Sequence, residues 1–164
     1  MNVLTAINSR LSRWAMYIAC LCLAGLLVVV VYGVVLRYAF NRPPPFVEQI
    51  ALLLVISVAM FGASAVVRDA GHIGMDSLVG LLPKRVQFWC AAAVGVLTML
   101  FAGILFVGSV EMAESTRNST IPILGISEAA RYVPPIIAGI LILLFSIEHL
   151  MALFTGRKVL ASWH

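Results

Sequence analysis

The sequence predicts an all-α integral membrane protein of four transmembrane helices, with short interfacial amphipathic helices beside them. Three observations carry that prediction. Four long apolar runs, at 14–36, 46–67, 86–110 and 132–154, fill most of the 164 residues. Each holds at least 22 residues, ~33 Å of helix at ~1.5 Å per residue, which matches a hydrocarbon core of about 30 Å. Hydrophobic residues make up 62% and charged residues 11%, with a mean hydropathy of +1.06, far outside the soluble globular range. Backbone groups in lipid must pair internally, and continuous rather than alternating apolar runs do so as helices, not barrel strands. A single membrane domain over 1–164 follows.

Each element has its own local reason. Residues 2–13 carry Val3, Leu4, Ile7 and Leu11 at helical spacing, with Arg10 and Arg13 near the end. That pattern predicts a segment lying in the membrane interface before the chain turns into the first span. The first run is too long for a signal-peptide core and lacks a small-x-small cleavage site before Arg37, so it reads as a retained span. Arg37-Tyr38 closes it with a charge and an interfacial aromatic. Asn41-Arg42-Pro43-Pro44-Pro45 cannot form helix, and this stiff turn sets the approach of the second span.

The second span opens with Glu48 and places Ala51, Val55, Ala59, Gly62 and Val66 on the same side as that acid. The third has a similar stripe of Ala91, Gly95, Thr98, Ala102 and Ser109. Small residues let helix backbones approach in lipid, where the hydrophobic effect gives no helix–helix drive. Both stripes therefore predict packing on other helices, of this chain or of another. Between these spans, Met75, Leu78, Val79 and Leu82 predict a surface helix over 75–82. Pro83 stops it, and Lys84-Arg85 would anchor it at anionic headgroups. The longest loop, 111–131, contains an apolar stretch at 121–126 that is too short to span and is expected to fold back against protein. Ser127 is expected to cap the last helix, Glu128 to sit in its positive first turn, and Pro134-Pro135 to kink its outer end.

Charge placement sets topology. The net charge is +4, but the basic residues flank apolar runs, so they give no case for nucleic-acid binding. With four spans, both termini share a side with the middle loop. That side holds Arg10, Arg13, Arg68, Lys84, Arg85, Arg157 and Lys158, against Arg37, Arg42, Arg117 and Arg131 opposite. The positive-inside rule makes the termini cytoplasmic. Glu48, Glu111, Glu114 and Glu128 make the external face mildly acidic.

Chemistry has few places to reside. Intramembrane charges are costly and usually functional, yet the central portions of all four runs contain no Asp, Glu, Lys, Arg or His. Cys20, Cys22 and Cys90 lie within spans and lack metal-ligand spacing, so they read as small packing residues. No catalytic, cofactor-binding or metal-ligating residue is expected, nor is a substrate path through this chain alone. Arg37 and Glu48 fall at one membrane face on consecutive helices, as interfacial anchors or as part of a docking contact. His72 and Asp76, four apart, share a helix side and either stabilise a loop or serve an intersubunit contact. Glu148 and His149 read as snorkelling at the membrane boundary.

At these residues the sequence resembles the small membrane subunit (DctQ type) of tripartite ATP-independent periplasmic (TRAP) transporters. Arg37-Tyr38-Ala39-Phe40-Asn41 resembles the family's RY-x-F-N at the close of the first span. Glu48 stands where the family places an acid, and Arg68…His72-Ile73…Asp76 resembles its R-x-x-x-H-I-x-x-D. Pro122-Ile123-Leu124-Gly125-Ile126 is a looser similarity. Phe46 and Ser127 depart from the common Trp and Pro. The resemblance covers about 11–154.

It implies a bacterial inner-membrane scaffold with three kinds of partner: a large multi-span subunit, a periplasmic receptor and membrane lipids. The large subunit would carry out sodium-driven uptake of an organic acid that the receptor delivers. Arg37, Tyr38, Asn41 and Glu48 would form the periplasmic docking edge, and Arg68, His72 and Asp76 would fix the cytoplasmic turn. The alternatives are a haem- or quinone-binding four-helix anchor, which needs two histidines aimed at one site, and an unrelated membrane-assembly protein.

Overall fold

Each of the four apolar runs corresponds to one helix, the fourth entered through a 3-10 turn, in a computed structural model that describes residues 2–41, 44–69, 83–121 and 125–154. Helix α1 covers Asn2–Ala39, α2 Phe46–Asp69, α3 Lys84–Ser115 and α4 Val133–Phe154; a 3-10 turn, Glu128–Tyr132, leads into α4. All four have the length and composition to cross a membrane. The chain is a multi-pass, all-α membrane protein. The predicted surface helix at 75–82 lies outside the described residues.

The helix ends follow from local chemistry. Asn41 has φ 51°, the left-handed conformation that Asn tolerates and that commonly stops a helix. Val47 N–H reaches the Pro44 carbonyl at 3.3 Å, so the proline turn opens α2 directly. At the end of α3, both the backbone N–H and the hydroxyl of Thr116 donate to the Met112 carbonyl, at 3.0 and 2.7 Å. Pro134 and Pro135 fall in the first turn of α4 and are buried. There a missing N–H forfeits no helical bond, so they initiate α4, and the kink expected from them has no interior position to occupy.

The helices form a row in the order α1–α2–α4–α3, with α4 the most buried and α1 and α3 at the two ends. Close backbone approach holds the neighbours together. A Cβ added at Gly33 of α1 would lie 2.6 Å from Val47 Cγ1 of α2. One added at Gly139 of α4 would lie 3.1 Å from Phe106 Cβ and 3.2 Å from its Cα. One added at Gly95 of α3 would lie 3.0 Å from the Leu150 side chain of α4. Gly95 and Phe106 are three turns apart on α3, as Gly139 and Leu150 are on α4, so the antiparallel pair keeps one register along its length.

The apolar core sits where α1, α2 and α4 meet. Phe145 is fully buried among Ala15, Ala19, Phe61, Ala65 and Leu141, flanked by Leu11 and Met16. Three alanines there make room for one aromatic ring. This junction also overturns one expectation. Residues 2–13 form no separate segment that turns into the first span; α1 runs unbroken for 38 residues, ~57 Å. Nothing between residues 5 and 14 breaks a helix. Asn8, Ser12, Ala15 and Ala19, spaced by four and three, bury one continuous stripe of α1.

Gly139→Ala should lower the thermal unfolding midpoint, by the about 1–3 kcal/mol typical of overpacking. Gly103→Ala, whose Cβ would meet nothing within 4 Å, should leave it unchanged or raise it slightly. Fluorescence-detected size-exclusion thermal scans of both variants in mild detergent check the pair; equal midpoints would contradict the close approach.

Candidate functional site

Directly beyond the Phe145 core, a polar cluster joins the same three helices. Arg68 lies in the last turn of α2, where a cation is favoured by the helix dipole. Its guanidinium meets two carboxylates: Nη1 lies 3.2 Å from Asp69 Oδ1, and Nε lies 3.5 Å from Glu148 Oε2 of α4. Helix α1 completes the arrangement. Asn8 Nδ2 donates to Glu148 Oε2 at 2.7 Å, Ser12 Oγ donates to Asp69 Oδ2 at 3.1 Å, and Arg68 Nη2 donates to the Thr5 carbonyl at 3.5 Å.

From α4, His149 Nε2 donates to the Arg68 carbonyl at 3.0 Å. That carbonyl belongs to the last turn of α2, whose acceptors have no intrahelical partner, so His149 caps α2 from a neighbouring helix. The Arg68 and Glu148 side chains are 2% and 5% exposed. Breaking a pair this buried leaves an uncompensated charge, so the cluster fixes the mutual register of three helices.

The opposite end carries a smaller polar layer. Arg131 pairs with Glu128 Oε1 at 3.1 Å and donates to Gln49 Oε1 of α2. Ser127 Oγ accepts from Ala129 N–H at 3.3 Å and donates to the Arg117 carbonyl at 2.9 Å. Ser127 therefore caps the 3-10 turn ahead of α4, with Glu128 in that turn. Ile121 is buried and Gly125 takes φ 65°. The Ile121 N–H meets the Ile126 carbonyl at 2.9 Å, closing a tight loop. Part of the expected fold-back is thus present, although Ile126 itself is half exposed.

The residues singled out from sequence fall into three groups. Arg37, Tyr38, Asn41 and Glu48 are all exposed at the α1–α2 hairpin, and no ion pair joins Arg37 to Glu48 among the described residues. Arg68 is at the centre of the buried cluster. His72 and Asp76 lie outside the described residues. Glu148 and His149 do not snorkel: Glu148 is 7% exposed because Arg68 and Asn8 hold it inside. Asn8 and Ser12 went unrecognised, although their spacing to Ala15 and Ala19 was a readable signal. The haem-anchor alternative is not favoured, since His149 is committed to the Arg68 carbonyl.

The two small-residue stripes have different fates. On α3, Ala102 and Ser109 are buried and Gly95 abuts Leu150. On α2, Val55 is 51% and Val66 53% exposed, Ala59 is exposed, and the Cβ position at Gly62 meets nothing within 4 Å. The α2 helix instead buries Ser57, Phe61, Ser64, Ala65 and Arg68. Its small-residue stripe is open.

The family model described as tripartite ATP-independent periplasmic transporters, DctQ component, matches residues 26–156. A Haemophilus influenzae protein named as a TRAP transporter small permease protein is 28% identical over 139 residues, 84% of this chain and 86% of the relative. Another of that name from the same organism is 22% identical over 124 residues, 76% of this chain and 75% of the relative. The chain also resembles part of the sialic acid TRAP transporter permease protein SiaT of H. influenzae: 31% identity over 70 residues, 40% of this chain and 11% of that protein.

Arg68→Gln should destabilise the protein strongly, by about 3–5 kcal/mol, because Glu148 and Asp69 lose their shared counter-charge. Arg68→Gln combined with Glu148→Gln should recover part of that loss. A thermal-unfolding double-mutant cycle measures it; additive single effects would show that Arg68 and Glu148 act independently.

Proposed function

This chain belongs to the DctQ component family of tripartite ATP-independent periplasmic transporters, and we propose that it is the scaffold subunit of such a transporter. In this reading it holds a large multi-span transport subunit in a bacterial inner membrane, with both of its own termini cytoplasmic. The large subunit performs sodium-driven uptake of an organic acid delivered by a periplasmic receptor. The scaffold contributes rigidity and a docking face, and no transport step passes through it.

The observation that carries the proposal is the open stripe on α2. Val55, Ala59, Gly62 and Val66 offer close backbone approach along more than three turns, and no helix among the described residues uses it. In lipid such a stripe gains its stabilisation from packing against another helix. The resemblance to part of the far longer SiaT permease supports a large permease as the owner of that helix. The exposed Arg37, Tyr38, Asn41 and Glu48 would form the periplasmic edge of the assembly. Arg68, with His72 and Asp76, would fix the cytoplasmic end of α2 and the turn beyond it.

Gly62→Leu should leave the thermal midpoint of the isolated chain nearly unchanged, because its Cβ enters open space, yet lower recovery of the large subunit several-fold. Affinity purification from native membranes in mild detergent, with mass spectrometry of the co-purifying chains, reads this out. Wild-type recovery with Gly62→Leu would remove α2 as the docking face; recovery of no large membrane protein by the wild type would remove the scaffold reading itself. Glu48→Gln should weaken complex yield or uptake, and wild-type values of both would end the role given to that acid.

A further inference from the structure

The outward face of α1 near its N-terminus has no part in the reading above. At 100° per residue, Arg10, Arg13, Trp14 and Tyr17 fall within about a third of the helix circumference. That arc lies opposite the buried stripe of Asn8, Ser12, Ala15 and Ala19. Arg10 and Arg13 are exposed, Trp14 is 66% exposed and Tyr17 61%. Further along the same arc come Leu21 and Val28, 77% and 67% exposed. One face of one helix thus grades from cation through aromatic to aliphatic, the order of the layers across a membrane surface.

The spacing supports that registration. Tyr17 and Arg37 are twenty residues apart, ~30 Å of helix, equal to the thickness of the hydrocarbon core. With Arg37-Tyr38 at one boundary, Trp14 and Tyr17 fall at the other, and Arg10 and Arg13 lie one to two turns beyond, at the level of the phosphates. The face is also fixed in direction. Asn8 and Ser12, on the far side of the same turns, are bound to Glu148 and Asp69, so α1 cannot rotate the two arginines away from the lipid.

We propose that Arg10 and Arg13, above Trp14 and Tyr17, form a binding site for the headgroup of an anionic phospholipid of the surrounding bilayer. Two guanidinium groups on successive turns supply donors in a fork that matches phosphate oxygens. The two aromatic rings cover the glycerol and upper acyl region below them. The occupant is a lipid because the face combines positive charge with an aliphatic continuation into the membrane, and α1 carries no acidic group.

Native mass spectrometry of the full chain, with any subunit that co-purifies, tests this by titration with phosphatidylglycerol and, separately, phosphatidylethanolamine of the same acyl chains. Wild type should retain phosphatidylglycerol more tightly, and added salt should weaken that binding. R10Q and R13Q should each lower the affinity about fivefold, and the double variant about thirty-fold, from the contribution of each basic residue near an anionic surface. R10K/R13K should keep most of the affinity, and R117Q, at the opposite end of the helices, all of it. Equal affinity of wild type for the two lipids would overturn the proposal, with no variant needed. So would unchanged phosphatidylglycerol binding by a helical R10Q/R13Q, or loss of a bound protein chain rather than a lipid.

Discussion

A guanidinium near the edge of a hydrocarbon layer must be compensated, and Arg68 is compensated by residues from three different helices. Asp69 is its sequence neighbour, Glu148 comes from α4, and α1 contributes the Thr5 carbonyl and the Asn8 amide that steadies Glu148. Each helix supplies part of the compensation, so removing one strips Arg68 or Glu148 of a buried partner, a costlier condition than a poorly packed apolar side chain. The cluster thereby sets the rotation of α1, the end of α2 and the depth of α4 together. The Phe145 core lies directly beneath it, at the same three-helix junction.

Packing elsewhere in the molecule obeys a different rule. Lipid tails are as apolar as leucine, so helices in a bilayer gain little from hiding hydrophobic surface and much from backbone proximity. The α3–α4 pair shows this at Gly139, against the Phe106 backbone, while Gly95 and Gly33 make room for the Leu150 and Val47 side chains. A chain assembled this way has no need to close into a bundle. The row α1–α2–α4–α3 leaves broad flanks, and the stripe of α2 at Val55, Ala59, Gly62 and Val66 is open among the described residues.

Helix α1 shows how one element can serve both environments. One side of its first turns is committed to the polar cluster, and the opposite side carries Arg10, Arg13, Trp14 and Tyr17 outward. At 38 residues, ~57 Å, α1 exceeds the hydrocarbon thickness of about 30 Å, and its polar contacts all come from its first turns. The cluster and the outward basic face thus occupy the same layer on opposite sides of one helix.

Much of this protein was legible in the sequence because lipid imposes simple local rules. Run length identified four helices, and Arg37-Tyr38, Pro44 and Ser127 marked ends or caps that depend only on nearby residues. The motif around Arg68 marked the residue on which the buried cluster turns. What the sequence could not supply were the partners of residues far apart in the chain. Asn8 and Glu148 are 140 residues apart, and nothing local distinguishes a carboxylate that snorkels from one held inward by an arginine on another helix. The two small-residue stripes looked alike as sequence. Only the tertiary arrangement, in which α4 covers one and leaves the other bare, separated internal packing from an available face, because that outcome depends on which helices become neighbours.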